Sequence, residues 1–107
     1  MFIRATIGKF PSKLKADMYL AYIKTEVLPK LKKKSKIISL RTLIIGEGKT
    51  LGIATYENEK DFDDTNKWLA PLLKDASKEL DGQFDSMPGE VVLSYDKPVV
   101  ILSLIHI

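Results

Sequence analysis

Few side chains in this sequence could do acid–base, nucleophilic or metal chemistry, and they are not grouped for it. There is one histidine, His106, and no cysteine. The usual proton shuttle near neutral pH is therefore confined to the extreme C-terminal end, and serine–histidine–acid catalysis has no credible base. Thiolate catalysis, disulfides and cysteine-ligated zinc are excluded. Asp61, Asp63 and Asp64 lie close together, but they lack the spaced glycine and distal glutamate of a calcium loop. A helix start explains them better, and no metal site is expected. Gly46-Glu47-Gly48-Lys49-Thr50 shares residue types with a phosphate-binding loop. The earlier glycine and the following helix of that loop are missing, so a hairpin turn is the simpler reading.

His106 itself is suspect. Leu102-Ser103-Leu104-Ile105-His106-Ile107 matches a translation of the transposon-end adapter used in shotgun sequencing libraries, residue for residue. We expect a native domain over residues 1–101, with 102–107 as adapter read-through. The plain alternative is an ordinary apolar strand end.

What remains could bind rather than cleave. Arg4, Thr6, Ser39, Arg41, Thr42 and Thr55 fall in strand-like segments and could supply hydrogen bonds to a small organic ligand, or be ordinary surface residues. Tyr19, Tyr22 and Trp68 lie in helical segments beside apolar stripes, where packing alone is the simpler account and a pocket between helix and sheet the alternative. RNA recognition by stacked aromatics is not expected. Lys49 to Tyr56 offers only Tyr56, and Phe2 is the sole aromatic of the first strand.

These residues need a scaffold, and the periodicity supplies one. Phe2 to Gly8 alternates as a first strand. Ser12 after Pro11 suits an N-cap, and Leu14, Met18, Ala21, Tyr22 and Leu28 form a helical stripe. Pro29 inside that pattern predicts a kink, with the helix ending near Lys34. Ile37–Ile45 and Leu51–Tyr56 read as a hairpin about the Gly46–Lys49 turn. Asn58 should cap a second helix with Phe62, Leu69, Leu73, Ala76 and Leu80 buried. Gly82 should stop it, with an irregularity at Pro71. Gln83–Gly89 reads as a polar loop with a Pro88-Gly89 turn, and Glu90–Tyr95 as the last strand. The outcome is an α+β, ferredoxin-like β-α-β-β-α-β fold: a four-stranded antiparallel sheet with two helices on one face.

The 107 residues suffice for one domain, with 45% apolar and 29% charged residues. Net charge is +3. Lysines 30, 32, 33, 34 and 36 fall where the first helix ends, and Glu57, Glu59, Asp61, Asp63 and Asp64 where the second begins. Both clusters complement the helix dipole, and an anion-binding patch is the alternative for the lysines. Nothing resembles a signal peptide or the roughly 20 apolar residues of a membrane span, so a cytoplasmic location without membrane or nucleic-acid partners is expected.

Three local signatures carry a resemblance: Glu26-Val27-Leu28-Pro29 before the lysine-rich end, Thr55-Tyr56-Glu57-Asn58-Glu59 leading into the second helix, and Pro88-Gly89-Glu90-Val91. With the element order, they make residues 1–96 resemble the antibiotic-biosynthesis-monooxygenase-like (ABM) family of dimeric α/β barrels. The resemblance implies a homodimer built by packing two sheets face to face, and apolar residues on both faces of the second strand agree with it. It implies a cofactor-independent monooxygenase acting on an aromatic or polyketide-like molecule; the alternative is a non-catalytic small-ligand-binding or stress-associated barrel. No cofactor is implied. Tyr56 stands where the family often has tryptophan, and Thr65-Asn66 where a histidine is common. Thr6 replaces the strand-one asparagine of the haem-degrading branch, and only Trp68 is retained near that branch's tryptophan. Haem degradation is therefore not expected, and Arg4, Thr6, Tyr22, Tyr56, Asn66 and Trp68 are the candidate pocket residues.

Overall fold

A computed structural model describes residues 1–98. Its elements are β1 (Phe2–Lys9), α1 (Lys13–Tyr22), a wide π turn (Ile23–Val27), α2 (Leu28–Lys34), β2 (Ser39–Gly46), β3 (Lys49–Tyr56), α3 (Glu59–Glu79) and β4 (Gln83–Glu90). The sheet is antiparallel throughout in the order β2-β3-β1-β4, as the sequence predicts for a ferredoxin-like fold. The suspected adapter segment lies outside the described residues.

Both predicted N-caps form. Ser12 accepts the Lys15 amide at 3.2 Å and Asn58 accepts that of Asp61 at 2.9 Å, satisfying first-turn donors that the helices cannot. The predicted α3 stripe is buried as a whole: Phe62, Leu69, Leu73, Ala76 and Leu80. The expected irregularity at Pro71 is absent. α3 runs unbroken through it, held by Leu69 and Leu73, which are buried on either side.

Four further expectations need correction. Leu14, Met18 and Ala21 are exposed, and the buried row of the first helical arm is instead Ala16, Tyr19, Val27 and Leu31, with Ile23 half-buried. The expected kink at Pro29 is displaced upstream. Leu28 N–H reaches back to the Ile23 carbonyl, and Pro29 then sits in the first turn of α2, where its missing N–H costs nothing. The stop of α3 is a left-handed Asp81 (φ 54°), not Gly82. Gly82 is required for space, since a Cβ there would lie 2.7 Å from the Phe10 ring. Finally, Gln83–Glu90 is the last strand, not a loop, and the strand expected over Glu90–Tyr95 does not form: residues 91–95 carry no regular structure. β4 pairs with β1 from Lys9↔Gln83 to Phe2↔Glu90, and Pro88 is tolerated because β4 is an edge strand.

The register sorts the sheet into two faces. Phe2, Arg4, Thr6 and Gly8 of β1 share one face with Tyr56, Ala54, Gly52 and Thr50 of β3, and the helices cover that side. Its main core joins Phe10, Tyr19, Val27, Leu31, Leu69 and Leu73, and a smaller one joins Phe2, Ala54, Tyr56 and Phe62. The other face presents Ile3, Ala5 and Ile7 of β1, Leu51 and Ile53 of β3, Leu43 of β2 and Met87 of β4. Leu43 and Met87 are 42% and 52% exposed.

Candidate functional site

A cavity of about 50 Å³ lies between the sheet and the helical layer. Its origin is a row of small side chains across the sheet: Thr42 of β2, Gly52 of β3 and Thr6 of β1 are cross-strand partners, with Ser86 of β4 beyond. Gly52 leaves the hollow, because a Cβ built there would meet only the Thr6 carbonyl oxygen, at 3.9 Å. Tyr19, Ile23 and Val27 roof it from the first helical arm, with Leu31 of α2 and Leu69 and Leu73 of α3. The wall is apolar except at its floor. Thr42 is exposed, and Ile37 and Leu40 are half-buried, so the way in lies along β2.

Arg4 is the charged group of this cavity. It is 92% buried (8% exposed) and donates its Nε–H to Ser86 Oγ at 2.6 Å. Ser86 Oγ is in turn 3.5 Å from Thr6 Oγ1. No carboxylate forms an ion pair with Arg4 among the described residues. Burial pushes its pKa down, and the nearby Tyr56 and Tyr19 hydroxyls pull it back up. A guanidinium stays protonated through such changes, so the floor carries a positive charge whose desolvation costs several kcal/mol. Burial also pushes the Tyr19 hydroxyl up to about 12, against the pull of Arg4. Tyr56 is raised by burial as well, opposed by Arg4 and by the Thr65 hydroxyl. Both phenols are neutral donors at physiological pH.

Of the candidate residues, Arg4 and Thr6 line the cavity and are brought together through Ser86. Tyr56 is buried next to it in the smaller core, edge-on to Phe62 at 5.7 Å. Tyr22 lies outside, in a groove with Met18, Asp75 and Glu79. Trp68 packs half-buried against the main core with the Lys34 ammonium 4.3 Å from its ring centroid, a cation–π contact. Asn66 is away from the cavity, and its Oδ1 is buried without a hydrogen-bond partner among the described residues. Among the polar strand residues, register places Thr42 with Arg4 and Thr6, and puts Ser39, Arg41 and Thr55 on the opposite face. Tyr19, read from sequence as a residue of either packing or a pocket, does line the cavity, although the expected helix phase left it outside the buried stripe. Gly52 was not singled out from sequence, because a glycine that hollows a strand carries no signal beyond its own presence.

No family model matches the sequence, and a search of curated proteins finds no match. Solved structures do match. A dimeric ferredoxin-like protein from an uncultured marine organism superposes with a TM-score of 0.73 at 12% identity, covering 88% of this chain and 97% of that one. A candidate antibiotic biosynthesis monooxygenase from Deinococcus radiodurans gives 0.74 at 13% identity, over 92% and 100%. This chain has the ferredoxin-like fold of these two proteins. A monooxygenase from Streptomyces coelicolor in complex with nanaomycin D also shares that fold, with a TM-score of 0.60 at 10% identity over 89% and 92%. At such identities the likeness concerns the backbone fold and leaves the side chains of the cavity to be judged on their own chemistry. No helix among the described residues is long and apolar enough to cross a membrane.

Proposed function

We propose that this chain works as a homodimer whose subunits each hold a small aromatic or polyketide-like molecule between sheet and helices, and that it oxygenates that molecule without a cofactor. The observation that carries the reading is the cavity over Gly52, apolar at its roof and polar at its floor. Such a lining is the usual character of a small-molecule site. Dimerisation would cover the open sheet face, where Leu43, Leu51 and Ile7 form one apolar row and Ile53, Ala5 and Met87 the next; contiguous apolar surface of this kind marks interfaces. At about 50 Å³ the cavity holds one or two waters, whereas a benzene-sized ligand needs roughly 150 Å³. Entry of a ring therefore displaces the half-buried Ile37 and Leu40 along β2.

In the reaction, a substrate methylene ionises to a carbanion that reduces dioxygen. One oxygen atom enters as a carbonyl, and the other leaves as water with the two methylene hydrogens. The pocket's part is to exclude water and to fix the ionised substrate through hydrogen bonds. Oxygen consumption and product mass, measured on a panel of anthrones and hydroquinones, test this. Turnover that depends on the protein and incorporates one atom of labelled dioxygen is expected.

A second reading, a binding protein that holds the same class of molecule without turning it over, is favoured by one observation. The cavity lining contains no group that takes up a proton near neutrality: Arg4 is cationic and Tyr19 a high-pKa phenol. Saturable binding with no oxygen uptake across the panel would decide for it.

A further inference from the structure

We propose that Arg4 is the counter-ion of a small organic anion, a carboxylate or an ionised phenol or enol on an apolar body, seated over Gly52. This rests on the small-molecule reading above and narrows its ligand class.

The argument begins with an imbalance. Arg4 is buried on the central strand β1, yet among the described residues only its Nε–H finds an acceptor, Ser86 Oγ. The rest of the guanidinium fork, built to grip two oxygens at once, has no protein acceptor and no carboxylate among the described residues; its terminal nitrogens are not sealed from solvent, so a ligand there would replace water. Buried charges are normally paired, and a purely structural role would be filled as well by an apolar side chain of similar volume. No acidic residue lines the cavity to serve as a resident partner.

The surroundings select the sign and shape of the missing partner. Arg4 and Leu73 form a wall shared by the cavity and a groove of about 280 Å³ between α3 and β4. That groove carries Lys74 and Lys78 and, again, no acidic residue. An anion at Arg4 thus meets cations on one side and an apolar cavity on the other. Thr6 and the neutral Tyr19 hydroxyl can donate to it, and neither opposes a negative charge. A neutral ligand could accept a hydrogen bond from the guanidinium but would leave its positive charge without a counter-charge. A dication would be repelled.

The test uses 2-hydroxy-1,4-naphthoquinone, an acid ionised at neutral pH, and its neutral 2-methoxy ether, with affinities from titration calorimetry and sites from amide NMR shifts. Wild-type protein is expected to bind the acid at least about tenfold more tightly than the ether, the span of one charge-assisted hydrogen bond. Arg4→Met should lose that preference while still binding the ether, and Arg4→Lys should keep part of it. Gly52→Val, which fills the floor without touching Arg4, should weaken both ligands alike. Equal affinities in the wild type, or a preference unchanged in Arg4→Met, overturn the anion assignment and leave the small-molecule reading standing. Failure of both compounds to bind at millimolar concentration overturns the two together.

Discussion

Arg4 and Ser86 meet diagonally across the β1–β4 ladder. Arg4 lies opposite Pro88 and Ser86 opposite Thr6, so the 2.6 Å bond from Arg4 Nε to Ser86 Oγ ties two successive cross-strand rows together at the sheet edge. This bond helps to hold an edge strand whose own sequence has little strand character. Ser86→Ala should destabilise the protein by about 1–2 kcal/mol, because it strips a charged donor of its one acceptor. In an Arg4→Met background the same change should cost almost nothing, and a double-mutant cycle from urea unfolding reads the difference.

Gly52 offers the opposite case, a substitution expected to help. Its backbone is not left-handed and a Cβ finds open space, so Gly52→Ala should add about 0.5–1 kcal/mol through reduced unfolded-state freedom. The urea midpoint should rise at unchanged slope. A fall would mean that the hollow is already filled in solution.

Gly48 contrasts with it. There φ is +73° and a Cβ would stand 2.7 Å from the Phe10 carbonyl oxygen, and the Phe10 N–H donates to the Gly48 carbonyl at 2.8 Å. Gly48→Ala should cost about 1–3 kcal/mol, visible as a lower thermal midpoint with the far-ultraviolet spectrum retained.

Alkaline pH should find Tyr19. Burial raises its pKa from 10.0 to about 12, so the folded state holds the proton where the unfolded chain has released it. The associated stability is complete below pH 10 and is lost as pH rises towards 12, by roughly 2–3 kcal/mol in all. Urea midpoints measured between pH 9 and 12 should fall more steeply for wild type than for Tyr19→Phe. Parallel curves would place the hydroxyl in water.

Ile53, central on the open sheet face beside Ala5 and Arg41, tests the dimer. Ile53→Lys puts a charge where two faces would pack, and sedimentation velocity should show monomers for the variant and dimers for the wild type. The variant's fold should persist, since the helix-covered side is untouched. A wild-type protein that sediments as a monomer at high concentration removes the basis for the dimer.

Much of this architecture was legible in the sequence because its strongest signals are local. The caps Ser12 and Asn58, the hairpin at Gly46–Lys49 and the five-residue stripe of α3 each depend on a few neighbouring residues. β4 was not legible, since Gln83–Glu90 is polar and holds Pro88 and Gly89. Pairing with β1, more than 70 residues away in the chain, overrides that propensity. The candidate site was legible only in part. Arg4 and Thr6 were marked by being polar within a strand, and their separation from Ser39, Arg41 and Thr55 required the register. Tyr19 was legible as an aromatic of the first helical arm, but its place in the roof of the cavity required the true phase of that arm.

That phase has one more consequence. Tyr19, Ile23, Val27 and Leu31 recur every fourth residue, a spacing that drifts by roughly 40° per step on a regular α-helix. Over three steps the last of them would swing out to solvent. The wide turn at Ile23–Val27 absorbs part of that rotation, so all four stay in one line above the floor. The roof of the cavity is accordingly sensitive to length before it is sensitive to composition: exchanging Ile23 for another aliphatic group adjusts its fit, but deleting a single residue from the turn would rewind the arm and carry Leu31 off the core.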